Sequence, residues 1–203
     1  MVTFSVVIAS YLGSYGGAAR NREQKILRAI NSIQSQTFRG FEIIVVADGC
    51  KKTIEIVSDL NIKSFFVERK GHFSGTPRNK GIEEAEGKYI TYLDIDDVYG
   101  ENHLQTIADN IGNYDWVWYN DIRYNPRMRV WYENKCDITV MGRHGTSNIC
   151  HKKDLSVAWD FRGYAHDHYF IEQLLKFNNF TKIPTPEYYV CHIPGDQTTG
   201  YDL

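Results

Sequence analysis

Short apolar strand patterns alternate with amphipathic helix patterns through the first half of the chain, and this alternation constrains the fold most. Thr3–Ser10, Phe41–Ala47 and Lys88–Leu93 are β-rich runs. Phe41–Ala47 is almost continuously apolar, which is typical of a strand buried on both faces of a parallel sheet. Between the first two strands, Asn21–Gln36 carries isoleucines at helical spacing. This order predicts right-handed crossovers and a mostly parallel sheet covered by helices.

The second half of the chain has a different pattern. Tyr114–Tyr119 and Met128–Glu133 alternate like strands, and Asp167–Phe177 has the apolar spacing of a helix. A length of 203 residues fits one domain. We therefore predict a single α/β, Rossmann-like domain over residues 1–203, with a mostly parallel central sheet flanked by helices and a smaller antiparallel C-terminal part.

Local signals predict where helices begin and where they pack closely. Asn21 and Gln24 are spaced like a capping box at the start of the first helix. Thr76 and Pro77 fit an N-cap followed by the first helical residue. Gly81 falls inside that second helix, which predicts close approach to a neighbouring element.

Composition and charge exclude several classes of protein. The chain has 23 Lys and Arg against 25 Asp and Glu, without a long basic block, so a DNA-binding surface is not expected. Its apolar runs are far shorter than the roughly 20 residues of a membrane span, and no secretory signal is visible at the N-terminus. The four cysteines form no C-x-x-C pair, which argues against a zinc knuckle and for reduced thiols in a cytoplasmic protein.

Polar side chains follow three of the predicted strands. Ser10 and Tyr11 end the first strand, Asp48 ends the second, and the run 94–97 follows the third. In open α/β sheets, ligands bind beyond the carboxyl ends of the strands. Any one of these residues alone is explained equally well as the start of a turn. All three together predict a common binding crevice.

The acidic run Asp94-Ile95-Asp96-Asp97 is the most informative segment. In an extended chain, Asp94 and Asp96 point the same way, about 6.5 Å apart. Asp97 is then expected to turn away or to cap the following helix. Carboxylates this close need a cation or strong donors to stay ionised. Mg²⁺ or Mn²⁺ bound to a nucleoside diphosphate fits such a site, and the alternative is a solvated acidic turn.

A loop with two glycines, residues 71–75, leads into the predicted helix just before the acidic run. Helix N-termini present unpaired backbone N–H groups, which bind anions. Arg78 adds a positive charge in the first turn. The segment therefore predicts an anion-binding site, with a simple tight turn and a capped helix as the alternative.

An ordered set of motifs resembles family 2 glycosyltransferases, which have the GT-A fold. Ser5–Tyr11 and Ala29–Thr37 are similar to the family's first strand and the end of its first helix. Glu42–Cys50 resembles the E-I-I-V-V-D-D-G-S element. Pro77–Gly81 and Ala85–Asp97 resemble the A-R-N-x-G and A-x-G-x-Y-I-x-F-L-D-x-D-D elements. Together these motifs cover about the first half of the chain.

The resemblance implies a nucleotide-binding half, residues 1–100, that holds a nucleoside diphosphate sugar, most simply a UDP-sugar. By this resemblance Ser10, Tyr11 and Asp48 hold the base and Asp94 contacts the ribose. Arg78 completes the nucleotide-sugar site. Ala47 departs from the family pattern, because it replaces the first acid of the D-D-G-S element.

The resemblance also implies a metal site and a catalytic base. Asp96 and His192 would bind Mn²⁺ or Mg²⁺, and Asp167, which lies where the family has its E-D motif, would deprotonate the acceptor. The start of a helix favours an ionised carboxylate, the form that a general base needs. The ordinary alternatives are an Asp N-cap for Asp167 and a hydrogen-bonded histidine beside a strand for His192.

The implied reaction is inverting transfer of the sugar to the hydroxyl of a glycan or another acceptor, bound by residues 101–203. We expect Gly145–Asn148 to lie near the acceptor. Aromatic residues that are either acceptor contacts or core are Trp131, Trp159, Tyr164 and Tyr169. Two other functions remain open: a sugar-1-phosphate nucleotidyltransferase, and a non-catalytic nucleotide-sugar or glycan-binding module.

Overall fold

The computed structural model describes residues 2–18, 20–70, 73–160, 163 and 165–191. The strands in these ranges are β1 (Phe4–Ser10), β2 (Phe41–Asp48), β3 (Lys63–Val67), β4 (Tyr89–Tyr92), β5 (Val98–Tyr99), β6 (Trp116–Trp118), β7 (Asp121–Asn125), β8 (Val130–Asn134), β9 (Ile149–Lys152), β10 (Phe180–Lys182) and β11 (Tyr188–Val190). The α-helices are α1 (Arg22–Gln34), α2 (Lys51–Val57), α3 (Gly75–Glu84), α4 (His103–Ile111) and α5 (His166–Leu174).

The main sheet has the strand order β10-β6-β9-β4-β1-β2-β3. Strands β1 to β4 pair in parallel, as the strand–helix alternation predicts, and β10 pairs in parallel with β6. Strand β9 is antiparallel to both of its neighbours. The predicted α/β fold with a mostly parallel sheet is thus confirmed.

Both faces of the main sheet are covered. Along β1, Phe4, Val6 and Ile8 belong to one hydrophobic cluster, which also contains α1 and α4 side chains. Val7 points to the opposite face, into a second cluster with α5 side chains. This division explains why β1 and β2 are apolar at nearly every position, since a strand buried on both faces has no solvent side.

Helix α1 begins at Arg22, directly after Asn21, as predicted, whereas the predicted capping box and the predicted start of α3 differ from the structure. Asn21 adopts a left-handed conformation with φ 54° and its side chain makes no cap hydrogen bond, so the capping-box prediction is wrong. Helix α3 begins at Gly75, after Ser74, which places Thr76 and Pro77 inside its first turn. The close approach predicted at Gly81 is confirmed, because a Cβ there would lie 2.3 Å from Val7 Cγ1.

A second sheet has the order β5-β11-β7-β8. Its β5–β11 and β7–β8 pairs are antiparallel, and β11–β7 is parallel. Asp97 holds β11 in place, because its carboxylate accepts hydrogen bonds from Tyr188 Oη (2.9 Å) and from the backbone N of Cys191 (2.8 Å). Asp97 therefore anchors a strand and does not cap the following helix. Across the described ranges, no helix has both the length and the apolar character needed to cross a bilayer.

Candidate active site

The carboxyl ends of β1, β2 and β4 border one cavity of about 840 Å³. The parallel register pairs Ser10 of β1 with Ala47 of β2, so Ser10 and Asp48 lie at the same edge of the sheet. The sequence-predicted residues that line the cavity are Ser10, Tyr11, Asp48, Arg78, Asp94, Asp96 and Asp167. His192 lies outside the described residues. The structure thus brings every described site candidate together.

One end of the cavity is formed by Tyr11, Asp48 and Arg69. The Arg69 guanidinium lies 3.4 Å from the centre of the Tyr11 ring, and its Nε lies 3.9 Å from Asp48 Oδ2. Burial raises the pKa of Asp48, and the Arg69 charge partly opposes that rise. Ser10 is fully buried and shares a 2.9 Å hydrogen bond with Thr53. This end offers a flat aromatic face beside a hydrogen-bond acceptor, which suits a planar ring with N–H donors.

The glycine-containing loop after β1 folds toward the same end of the cavity. Arg22 donates a 2.6 Å hydrogen bond to the carbonyl of Gly13 and lies 4.7 Å from the centre of the Tyr15 ring. The Tyr15 ring stacks on Tyr11 at 6.4 Å and lines the cavity while remaining 49% exposed. The loop therefore contributes an aromatic wall to the site.

Asp94 and Asp96 form the middle of the cavity wall. Arg78 Nη2 donates a 3.1 Å hydrogen bond to Asp94 Oδ1 from a buried position in α3. Desolvation raises the pKa of Asp94; the Arg78 charge lowers it and the Asp96 charge raises it further. Burial also raises the pKa of Asp97 well above its usual range, with the same two neighbouring carboxylates adding to the effect. The acidic run is therefore a place where added positive charge stabilises the ionised forms.

Asp167 lies in the first turn of α5, on the far side of Arg78. Its Oδ1 accepts a 2.6 Å hydrogen bond from Thr146 Oγ1 and lies 4.0 Å from Arg78 Nη1. His166 Nε2 lies 3.2 Å from the same oxygen, and burial lowers the pKa of His166. Asp167 is thus held by donors on two sides and remains open to the cavity. Thr146 belongs to the 145–148 segment, whose position beside the site was predicted from the sequence.

The chemistry of the cavity wall fits a divalent cation. Asp94 and Asp96 supply hard carboxylate oxygens, and substrate phosphates commonly complete the ligand shell of Mg²⁺ or Mn²⁺. Within the ranges that the structure describes, no group of three or more His, Cys, Asp or Glu side chains is arranged as a metal site on its own. A cation here would therefore depend on ligands from the substrate or from residues outside those ranges, such as His192.

The remaining wall comes from β7, β8 and the segment after β8. Arg123 forms two hydrogen bonds with the buried carboxylate of Asp121, of 3.0 and 3.1 Å. His144 and His168 stack at 5.4 Å between ring centres. All four residues line the cavity, and all four belong to the second half of the chain. Sequence reasoning missed them, because no motif links residues that are up to 47 positions apart.

Of the four aromatic residues that the sequence leaves as acceptor contacts or core, the three described ones, Trp131, Trp159 and Tyr169, do not line the cavity. Trp159 is 3% exposed, stacks on Phe170 at 3.9 Å and donates a hydrogen bond to Tyr92 Oη, so it belongs to the core. Trp131 packs against Tyr189, and Tyr164 lies outside the described residues. Aromatic residues that do line the cavity are Tyr11, Tyr15, Phe73, Tyr124 and Tyr132. The sequence analysis also does not predict Arg69 as a site residue. Arg69 follows β3 closely, as Asp48 ends β2, so the expectation that ligands bind beyond the carboxyl ends of the strands applies to it as well.

Comparison with known proteins identifies the family. The family model described as Glycosyl transferase family 2 matches residues 18–175, well over half of the chain. The chain belongs to glycosyl transferase family 2. The motif resemblance found in the first half of the sequence is thereby confirmed, and the match extends through Asp167 and the whole of α5.

Individual relatives from family 2 match about half of the chain. An uncharacterised glycosyltransferase of Rickettsia typhi is 32% identical over 121 residues, which cover 58% of this chain and 36% of the relative. Poly(ribitol-phosphate) beta-N-acetylglucosaminyltransferase TarS of Staphylococcus aureus is 31% identical over 115 residues, which cover 53% of this chain and 18% of TarS. The chain thus matches only about a third or less of these relatives' length.

Solved structures support the same fold. The structure of S. aureus TarS 1-349 in complex with UDP-GlcNAc aligns with a TM-score of 0.73 at 20% identity, covering 100% of this chain and 62% of that one. The complex of the same fragment with UDP aligns with a TM-score of 0.71 at 21% identity. At this level of identity the likeness establishes a shared GT-A fold.

Proposed function

We propose that this chain transfers a sugar from a UDP-sugar to an acceptor hydroxyl, with inversion at the anomeric carbon and a bound divalent cation. The observation that carries the proposal is the convergence of seven sequence-predicted residues on one cavity, in a chain of family 2. The UDP-sugar is supported by the TarS structures that contain UDP-GlcNAc and UDP.

The nucleotide would lie across the ends of β1, β2 and β4. Tyr11 and Asp48 would contact the uracil, since together they offer an aromatic face and a carboxylate acceptor for a ring N–H. Asp94 would accept hydrogen bonds from the ribose hydroxyls. Arg78 would set the position of Asp94, because the 3.1 Å contact fixes one of its oxygens.

Asp96, with His192, would hold Mn²⁺ or Mg²⁺ beside the diphosphate. When bound, such an ion stabilises the negative charge of the departing diphosphate as a Lewis acid. Asp96 suits this role because, in the part of the chain that the structure describes, its carboxylate has no hydrogen-bond or ion-pair partner while it lines the cavity. It is therefore available to a ligand.

Asp167 would act as the general base. The acceptor oxygen forms a bond to the anomeric carbon while the bond from that carbon to the UDP oxygen breaks, and the acceptor proton passes to Asp167. Thr146 and Arg78 hold the carboxylate toward the cavity. Attack from the face opposite the leaving group inverts the anomeric carbon.

The proposal is tested by UDP release from UDP-sugars such as UDP-GlcNAc in the presence of Mn²⁺. We expect Asp167→Asn to lower turnover by on the order of 100-fold or more, as is typical for loss of a general base, while UDP binding is retained. Glu55→Gln in α2 provides a control, since Glu55 is 67% exposed, pairs with Lys52, and is not among the residues that line the cavity.

Equal rates of UDP release by Asp167→Asn and by the wild-type protein would contradict the proposal. UDP binding without turnover of any UDP-sugar by the wild-type protein would instead favour a non-catalytic nucleotide-sugar-binding module.

A further inference from the structure

Exposed apolar side chains concentrate in one short segment, residues 126–143, which we call the hairpin patch. Among the described residues, ten large hydrophobic side chains are exposed, and half of them fall in this segment. They are Met128 (70%), Val130 (44%), Tyr132 (44%), Val140 (42%) and Met141 (56%). Exposed apolar groups that cluster in this way mark interaction surfaces.

The hairpin patch carries a net positive charge in a chain whose formal net charge is −2. It contains four exposed cations, Arg127, Arg129, Lys135 and Arg143, against two acids. The rest of the chain holds the other 19 of 23 Lys and Arg and the other 23 of 25 Asp and Glu.

Both acids of the patch are engaged within the fold. Glu133 accepts hydrogen bonds from Asn120 and Thr185. Asp137 Oδ1 accepts them from the backbone N and the hydroxyl of Thr139, at 2.9 and 2.7 Å. Both carboxylates keep their charge, so the patch has four Lys and Arg against two Asp and Glu and a net charge of +2.

The tip of the β7–β8 hairpin is a hydrogen-bonded turn whose side chains, at residues 126–130, are exposed. Asn125 Oδ1 accepts hydrogen bonds from the backbone N of Arg127 (3.0 Å) and of Met128 (3.1 Å). Arg129 closes the turn with a left-handed φ of 54° and a 2.8 Å hydrogen bond to the Asn125 carbonyl. These bonds satisfy the backbone N–H groups of the turn within the hairpin itself. The Met128 side chain, between Arg127 and Arg129, is 70% exposed.

The patch continues into the cavity. Tyr132 and Met141 are exposed and also line the cavity wall that carries Arg123 and His144. Whatever binds the hairpin patch would therefore lie beside the opening of the cavity.

We propose that the hairpin patch docks the protein on an anionic lipid surface. Apolar side chains flanked by Arg and Lys match the boundary between acyl chains and phosphate headgroups, where long basic side chains reach outward to the charge. The net positive charge of the patch is complementary to the phosphate groups of anionic lipids. Docking would turn the cavity opening toward acceptors at that surface, and it does not depend on the transfer reaction.

Sedimentation with phospholipid vesicles tests the proposal. We expect the full chain to pellet with vesicles of phosphatidylcholine mixed with phosphatidylglycerol and not with pure phosphatidylcholine. Binding should weaken as salt is added, because salt screens surface charge. Arg127→Gln combined with Arg129→Gln should weaken binding on the order of 30-fold, from the typical contribution of each cation near an anionic membrane.

Matched variants outside the patch serve as controls. Lys51→Gln combined with Lys52→Gln removes two exposed cations of α2, and Phe66→Ser removes a 44%-exposed apolar group from β3. Met128→Ser should reduce vesicle binding and Phe66→Ser should not. Equal binding to both kinds of vesicle, absence of binding, or an equal loss in the controls would overturn the proposal. The proposal would also be overturned if light scattering showed a dimer that Met128→Ser dissociates, together with no binding to vesicles. That result would assign the patch to contact with a second copy of the chain.

Discussion

Arg78 lies between the two carboxylates to which the proposed reaction assigns different tasks. Its guanidinium is 3.1 Å from Asp94 and 4.0 Å from Asp167, and its side chain is only 5% exposed. The Trp159 ring lies 4.8 Å from the guanidinium carbon. A buried cation in this position fixes the relative placement of the donor-side and acceptor-side acids.

We expect Arg78→Gln to weaken UDP binding by on the order of tenfold, which corresponds to the loss of one charge-assisted hydrogen bond. The reason is that Asp94 then loses the charge that lowers its pKa and the donor that orients it. Calorimetric titration with UDP measures the effect. Arg78→Lys, which keeps the charge, should recover part of the affinity, and wild-type affinity in Arg78→Gln would rule out this role.

The buried side chain of His103 makes the free energy of unfolding depend on pH below neutrality. It is fully buried, its ring stacks on Tyr99 at 3.7 Å, and neither ring nitrogen has a hydrogen-bond partner among the described residues. Burial lowers the pKa of His103 to about 3, and that of His151 to about 4. Below about pH 6.5 the unfolded chain binds protons that the folded chain does not, so stability falls as the pH falls.

The test is chemical denaturation of the wild-type protein and of His103→Phe between neutral pH and about pH 4. We expect the change in unfolding free energy on acidification to be less unfavourable in His103→Phe than in the wild type, by on the order of 2 kcal/mol. A variant with the same pH dependence as the wild type would show that His103 is not the source.

The strands of the first half could be predicted within about one or two residues, because burial on both faces leaves a plain apolar pattern. The sequence analysis does not predict strands β5, β9, β10 and β11, which have two to four residues each. Their existence depends on partners far away in the sequence. Asp97, for example, holds β11 across 94 positions, and no local pattern contains that pairing.

Helix α3 packs on β1 only because residue 81 has no side chain. A Cβ at Gly81 would lie 2.3 Å from Val7 Cγ1. We expect Gly81→Ala to lower the free energy of unfolding by about 1–2 kcal/mol, because overpacking outweighs the gain in helix propensity. Gly16→Ala is the matched control, since nothing lies within 4 Å of a Cβ there. Equal melting temperatures for the two variants would contradict this packing argument.

The molecule as a whole places two kinds of site residue around one cavity. The sequence predicts those that follow parallel strands, such as Asp48 and Asp94, because the edge of the sheet gathers them. It does not predict His144 or Arg123, which arrive through the second sheet and its connections. The residues at the edge of the parallel strands, and Asp167 through its motif, were therefore accessible from the sequence, whereas Arg123 and His144 required the structure.

Calorimetric titration of UDP, with Mn²⁺ and with chelator, tests the central claim most directly. We expect one-site binding that exceeds the binding of GDP, weakens on chelation, and weakens further in Asp48→Asn and Asp96→Asn. Undetectable UDP binding, or affinity that is the same in both variants and with chelator, would contradict a UDP-sugar site at this edge of the sheet.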